Sequence, residues 1–347
     1  MTSPRNGSPT RALVLGGGGA VGVGWQTGLL TGLREAGVDL AGATAIVGTS
    51  AGALVGALLS SGRDVTDALT SLAALGQSID PDGLAAGDEA FLSAMRQASL
   101  DTDPRQALRA IARAAQEAST PAEDVYLGLF GTLDGTAWPA GFRCTAIDTD
   151  TGDLVVWDQG SGVPLLYAIA SSCAVPVLFP TVTIKGRRYM DGGILSHLNA
   201  TAAPPTDVLV VLSCHPLGSQ GAGVDSALAA SVAASDAELA QLRETRRLVA
   251  VEPDFSHIEA PANLMDRTSP SRLSRSASGR RNAKPQRSRP PGTSERAISE
   301  SSAFCPLAWI RSAGRWVPVE PSARSQRPGV SKDRPVLQVG RAARRRH

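Results

Sequence analysis

Aromatic residues make up only 4% of the chain, too few for the interior of an aromatic-rich β-sandwich. With 42% apolar residues overall, the core must be filled mainly by Ala, Val, Leu and Gly, which suits helices packed closely on a sheet and excludes a wholly disordered chain. Cysteine is scarce: Cys144, Cys173, Cys214 and Cys305 form no CxxC pair, and three of them sit in apolar runs, so buried reduced thiols are expected. Histidine is scarcer in usable places, because His347 lies at the very end and leaves His197, His215 and His257. The opening MTSPRNGSPTR has no apolar core of a signal peptide, which predicts a cytoplasmic protein, peripheral at a membrane if it meets one.

Long hydrophobic runs free of interruption are also missing. Residues 12 to 33 and 41 to 62 are uncharged over a membrane-spanning length, but the first holds eight glycines and the second is broken by Gly, Thr and Ser. Both divide more naturally into a β run, a glycine turn and a helix than into a membrane hairpin.

The net charge of +2 hides a split. Residues 267 to 347 carry 17 Arg and 2 Lys against 3 Glu and 1 Asp, a net of +15, whereas residues 1 to 266 carry 15 basic and 28 acidic side chains, a net of −13. The Arg, Ser and Pro of the second part show no sustained period, the composition of a disordered tail. A polybasic tail could bind anionic lipid or RNA, yet its abrupt start after Asp266 also reads like a GC-rich coding sequence in a shifted frame. The expected organisation is a flexible leader over residues 1 to 10, a folded domain over 11 to 266, and a basic disordered tail over 267 to 347.

Within the folded part, Arg11 to Leu15 reads as a strand running into Gly16 to Gly19 and a helix that Gly37 stops. Thr44 to Val47 forms a second strand running into Gly48-Thr49-Ser50-Ala51-Gly52 and a second helix. Two such units in succession predict a three-layer α/β/α fold with a mainly parallel sheet. Residues 64 to 135 read as helical, an insertion or cap without a strand. The β pattern returns at Phe142 to Ile147, and Asp150 to Asp153 turns it into a hairpin with Leu154 to Trp157. Further strands are expected at 182–184, 187–190, 207–213 and 248–251, with helices near 164–172 and 227–247.

Gly48 to Gly52 fits G-x-S-x-G between a strand and a helix, the context in which Ser50 would stand on a strained turn with a helix N-terminus behind it. Consecutive glycines at 16 to 19 can point backbone N–H groups into one cavity, for an oxyanion or a phosphate. The spacing Gly17-x-Gly19-x-x-Gly22 also fits a dinucleotide loop, but no acidic residue closes the second strand as a ribose ligand should. The serine needs a base. Ser50 follows only the second strand, which argues against the histidine-dependent α/β-hydrolase arrangement. Asp191, before Gly192 and Gly193 at the end of a β run, is the better partner, although Asp-Gly-Gly by itself reads more readily as a simple turn.

Taken in order, the segment Gly17 to Gly22, the elbow Gly48 to Gly52 and the Asp191-Gly192-Gly193 motif resemble the three signatures of the patatin-like phospholipase family. Likeness extends to residues 170–176 and 186–191, covering about residues 10 to 266. The resemblance implies a serine lipid acyl hydrolase with Ser50 as nucleophile and Asp191 as proton acceptor. It places the oxyanion hole at the N–H groups of Gly17, Gly18 and Gly19, with Gly22, Gly48, Gly52, Gly192 and Gly193 in support. It further implies an acyl-enzyme, a lipid ester substrate met at a membrane surface, no cofactor, no metal, and no nucleic acid for the folded domain. Two departures stand out. The family usually carries Arg or Lys where this chain has Val21, and its downstream asparagine-proline pattern is altered across Ile194 to Asn199. Val21 favours the alternative of a catalytically silent, lipid-binding member; a His-dependent esterase is the other alternative.

Overall fold

The computed structural model describes residues 9–70, 81–101, 103–218, 226–253, 309–312 and 315–318, and the structural statements below concern these residues. The first two β-loop-α units form as the sequence predicts. Strand β1 (Arg11–Leu15) leads to helix α1 (Gly19–Glu35), and β2 (Ala45–Thr49) leads to α2 (Ala51–Ser60). Gly37 ends α1 with a φ of +84°, donating to Arg34 O while Val38 N–H returns to Leu33 O.

Five strands run parallel in the order β8 (Arg247–Val251), β7 (Val208–Leu212), β1, β2, β3 (Phe142–Asp148). Because both faces of such a sheet are covered, Ala12 to Leu15 are all buried, and alternate residues serve different cores. Leu13, Leu15, Ile46 and Leu58 join Phe142 and Ile169 on one side. Ala12, Val14, Val47, Leu209 and Leu239 pack on the other. Past β3 the pairing becomes antiparallel: β6 (Arg187–Asp191) runs against β3, β5 (Val182–Ile184) runs against β6, and β4 (Leu154–Trp157) pairs antiparallel with β3 off this path. Lys185 and Gly186 make the two-residue β5–β6 turn with positive φ at both positions, a geometry that matches strand twist.

The segment read as helical holds α3 (Pro81–Ala98), α4 (Pro104–Glu117) and α5 (Glu123–Gly128), with no strand among its described residues. Asp103 caps α4 by accepting from Arg105 N–H, Pro104 follows at the first helical position, and Leu108, Ile111 and Ala115 are buried at helical spacing. Leu108 and Ile111 pack with Met95 and Ala98 of α3 against Ile147 and Met190, so these helices cover the β3–β6 end of the sheet. Helices α6 (Leu165–Ser172) and α7 (Ser226–Thr245) complete the layers. No helix among the described residues is long and apolar enough to cross a membrane.

Within residues 267 to 347, β9 (Trp309–Ser312) and β10 (Arg315–Pro318) pair antiparallel and join the sheet beside β8. Bulky Trp309, Ile310, Trp316 and Val317 are good β formers in an otherwise Arg-rich stretch, which overrides the lack of a longer period. The other residues of 267 to 347, expected to be disordered, lie outside the described residues, as does Cys305. Cys144, Cys173 and Cys214 are free thiols.

Candidate active site

Two strand ends, β2 and β6, carry the two residues singled out as nucleophile and base, and β3 runs between them. In the register Thr49 stands opposite Thr145, and the following residue, Ala146, stands opposite Asp191. Ser50 and Asp191 therefore start about two strand spacings, roughly 10 Å, apart at the backbone and reach toward each other over β3.

The elbow is a strained turn. Ser50 has φ 53° and ψ −119°, a region that a residue with a side chain adopts only when its surroundings enforce it. The enforcement comes from close packing that only glycine permits. A Cβ on Gly48 would meet Gly52 O at 2.4 Å, and one on Gly52 would meet Leu15 O at 2.0 Å. The end of α6 completes the hold: Ser50 N–H donates to Ser172 Oγ at 3.0 Å, and Cys173 Sγ donates to Ser50 O at 3.2 Å. Burial first, then the neighbouring Asp191 charge, raises the Cys173 thiol well above its ordinary pKa, keeping it a protonated donor.

Asp191 closes β6 with its N–H on Ala174 O at 2.9 Å. Its Oδ1 accepts the Gly193 N–H at 2.7 Å. Both residues are nearly removed from water, Ser50 at 7% exposure and Asp191 at 3%. Burial pushes the carboxyl up to about 7, against the lowering effect of the nearby Ser50 hydroxyl and of the Gly193 N–H. Gly192 must be small because a Cβ there would lie 2.6 Å from Thr145 Oγ1.

The glycine loop enters α1 beside this pair, and a Cβ on Gly17 would come within 3.3 Å of Ser50 Cβ. Here one expectation is corrected. Gly17 N–H is donated to His197 O at 2.7 Å, because residues 194–199 return over the strand ends, so it is not free to meet an oxyanion. Gly18 caps α1 and Gly19, with φ 55°, begins it; their N–H groups have no protein acceptor among the described residues. Gly22 donates to Gly18 O at 2.7 Å, and both glycines lie against Cys214 Sγ. Gln26, fully buried, holds the loop from beneath by donating Nε2 to Gly16 O at 2.6 Å. Val21 is buried in the first turn of α1, where the resemblance led to a cation being expected.

Among the described residues, neither His197 nor His215 hydrogen-bonds this serine. His197 is bonded through Nε2 to Ser213 Oγ at 3.1 Å and through Nδ1 to Ser235 Oγ at 2.9 Å, with the His215 ring packed edge-on at 4.6 Å. Burial and then His215 drive the His197 pKa well below its ordinary value, and burial takes His215 down to about 4. His257 lies outside the described residues. No group of three or more His, Cys, Asp or Glu that could hold a metal occurs among the described residues.

Sequence reasoning missed one residue at the centre. Asn199, fully buried with φ 47°, points Nδ2 at Ser196 O (2.6 Å), Gly192 O (3.1 Å), Thr49 Oγ1 (3.2 Å) and Thr145 Oγ1 (3.2 Å). The only local sign was an asparagine, a residue that tolerates left-handed backbone, downstream of the Asp-Gly-Gly turn.

The family model described as patatin-like phospholipase matches residues 13–204, which hold the glycine loop, the elbow, Asp191 and Asn199. No curated protein matches the chain. Among solved structures, VipD from Legionella pneumophila is 15% identical with a TM-score of 0.36, covering 78% of this chain and 67% of its own. The type III effector ExoU is 18% identical with a TM-score of 0.34, covering 77% of this chain and 50% of its own. Full-length ExoU from Pseudomonas aeruginosa, in complex with SpcU, is 19% identical with a TM-score of 0.32, over 77% of this chain and 52% of that one. The chain thus spans about half the length of ExoU.

Proposed function

The chain belongs to the patatin-like phospholipase family, and from that premise we propose that it hydrolyses carboxylic esters of acyl lipids through a Ser50–Asp191 dyad and an acyl-enzyme. The observation that carries the reading is the convergence of a strained strand-to-helix turn at Ser50 and a buried Asp191 carboxyl at the end of β6, both turned from water beside the glycine loop. Asp191 takes the hydroxyl proton as Ser50 Oγ bonds to the ester carbonyl carbon. The negative charge moves to the carbonyl oxygen, which the free N–H groups of Gly18 and Gly19 stabilise at the positive end of α1. Collapse breaks the ester C–O bond, and the leaving alkoxide receives the proton from Asp191. Water then loses a proton to Asp191, attacks the acyl-enzyme, and releases the fatty acid as Ser50 regains its proton.

In this reading residues 11–266 hold the chemistry, the lipid is met at a membrane surface, and neither metal nor cofactor takes part. The test compares wild type, Ser50→Ala and Asp191→Asn on a short p-nitrophenyl ester and on phosphatidylcholine vesicles, with folding followed by circular dichroism. Both folded variants should lose on the order of 10⁴-fold or more in kcat. A folded Asp191→Asn enzyme turning over at the wild-type rate would remove the dyad from consideration.

A further inference from the structure

The dyad depends on two strand ends that are not sheet neighbours, so something must set the distance between them. Thr49 ends β2 just before Ser50, Thr145 lies on β3, and Gly192 follows Asp191 at the end of β6. The amide nitrogen of Asn199 lies within hydrogen-bonding distance of all three, and Thr49 Oγ1 and Thr145 Oγ1 are themselves 2.8 Å apart. The two carbonyls, Gly192 O and Ser196 O, can only accept, so they fix the nitrogen rather than the oxygen of the amide on this side. Asn199 Oδ1, by contrast, is buried without a partner among the described residues, a cost borne to keep that nitrogen in place.

We infer that Asn199 is a positioning residue for the reaction, its side-chain amide holding the ends of β2, β3 and β6 in the spacing at which Ser50 and Asp191 meet. The inference rests on the dyad reading above. Asn199 touches neither the substrate nor the reacting atoms; it acts through Thr49 on one side and Gly192 on the other. Displacement of one reacting group by about 1 Å costs on the order of 10²-fold in rate, so the spacing matters more for turnover than for substrate binding.

Asn199→Gly removes the amide while leaving the left-handed backbone free of strain, which separates positioning from backbone conformation. The readouts are kcat and KM on a p-nitrophenyl ester, and the rate at which a fluorophosphonate probe labels the serine, each normalised to folded protein. The expected result is a fall of about 10²-fold in both kcat and labelling rate with KM little changed. Labelling and kcat at the wild-type level in folded Asn199→Gly would overturn the inference and leave Asn199 a stabilising residue only. If Asn199→Gly does not fold, the double variant Thr49→Val/Thr145→Val removes two of the four acceptors and is read in the same way. Failure of the dyad reading looks different: the probe would label Ser50→Ala as readily as wild type, whatever the Asn199 variants do.

Discussion

Gly193 donates its backbone N–H to Asp191 Oδ1 over 2.7 Å, a bond that favours the ionised carboxylate in a place where burial disfavours it. Burial is the larger effect and leaves the group near pH 7, poised to take and return a proton under neutral conditions. Under the proposed dyad only the ionised form can accept the Ser50 proton, so kcat/KM for a soluble ester should fall about tenfold per pH unit below about 7 and level off above it. A pH–rate profile on a p-nitrophenyl ester tests this, and activity that holds level down to about pH 5 would contradict it.

The same carboxyl makes a prediction for stability. Asp191 in the folded protein holds its proton up to about 7, whereas the unfolded chain releases it near the ordinary value of 3.8, so in that window the folded state binds more protons. Stability contributed by the protonated group is therefore lost as pH rises from about 4 to about 7, with no further loss above. Asp191→Asn, which cannot ionise, should match wild type in acid and exceed it at pH 8 by at most about 4 kcal/mol. Urea midpoints across this range measure the gap; a gap that shrinks with rising pH would show that the folded carboxyl is not raised.

How much of this was legible follows from how local each feature is. The β1–α1 and β2–α2 units, the elbow at Ser50 and the turn at Asp191 are written in runs of five or so residues, because glycine and apolar spacing act on the adjacent backbone. Asn199 reaches Thr49 across 150 positions and Thr145 across 54, and Ser172 reaches the Ser50 N–H across 122, so no window of sequence holds both partners. The loss of Gly17 as an oxyanion donor has the same origin: its acceptor, the His197 carbonyl, arrives from a distant loop. Composition alone also averaged the short β9–β10 pair into its Arg-rich surroundings.

The elbow glycines separate packing from mere turn formation. A methyl group on Gly52 would sit 2.0 Å from the Leu15 carbonyl oxygen, which is itself fixed in the central strand, whereas one on Gly42 meets nothing within 4 Å. Gly52→Ala should cost more than about 3 kcal/mol and yield little folded protein, while Gly42→Ala should stay within about 0.5 kcal/mol of wild type. Thermal melts of the pair decide the matter. Equal stability of the two variants would mean that α2 can move away from β1 at little cost.

The buried histidines give the sharpest contrast between structure and chemistry. His197 spends both ring nitrogens on Ser213 and Ser235, and its only link to the glycine loop is a backbone carbonyl that any residue supplies. His197→Gln should therefore lose about 1–3 kcal/mol of stability from broken buried hydrogen bonds. His215→Gln, which removes the edge-on ring contact, should lose stability in the same direction. Under the proposed dyad both should keep kcat close to wild type per folded molecule, since that reading gives histidine no part in the proton transfer. Denaturation midpoints measured beside active-site-titrated kcat values resolve the two effects. A folded His197→Gln enzyme as slow as Asp191→Asn would make histidine the base and return the serine to a three-residue arrangement.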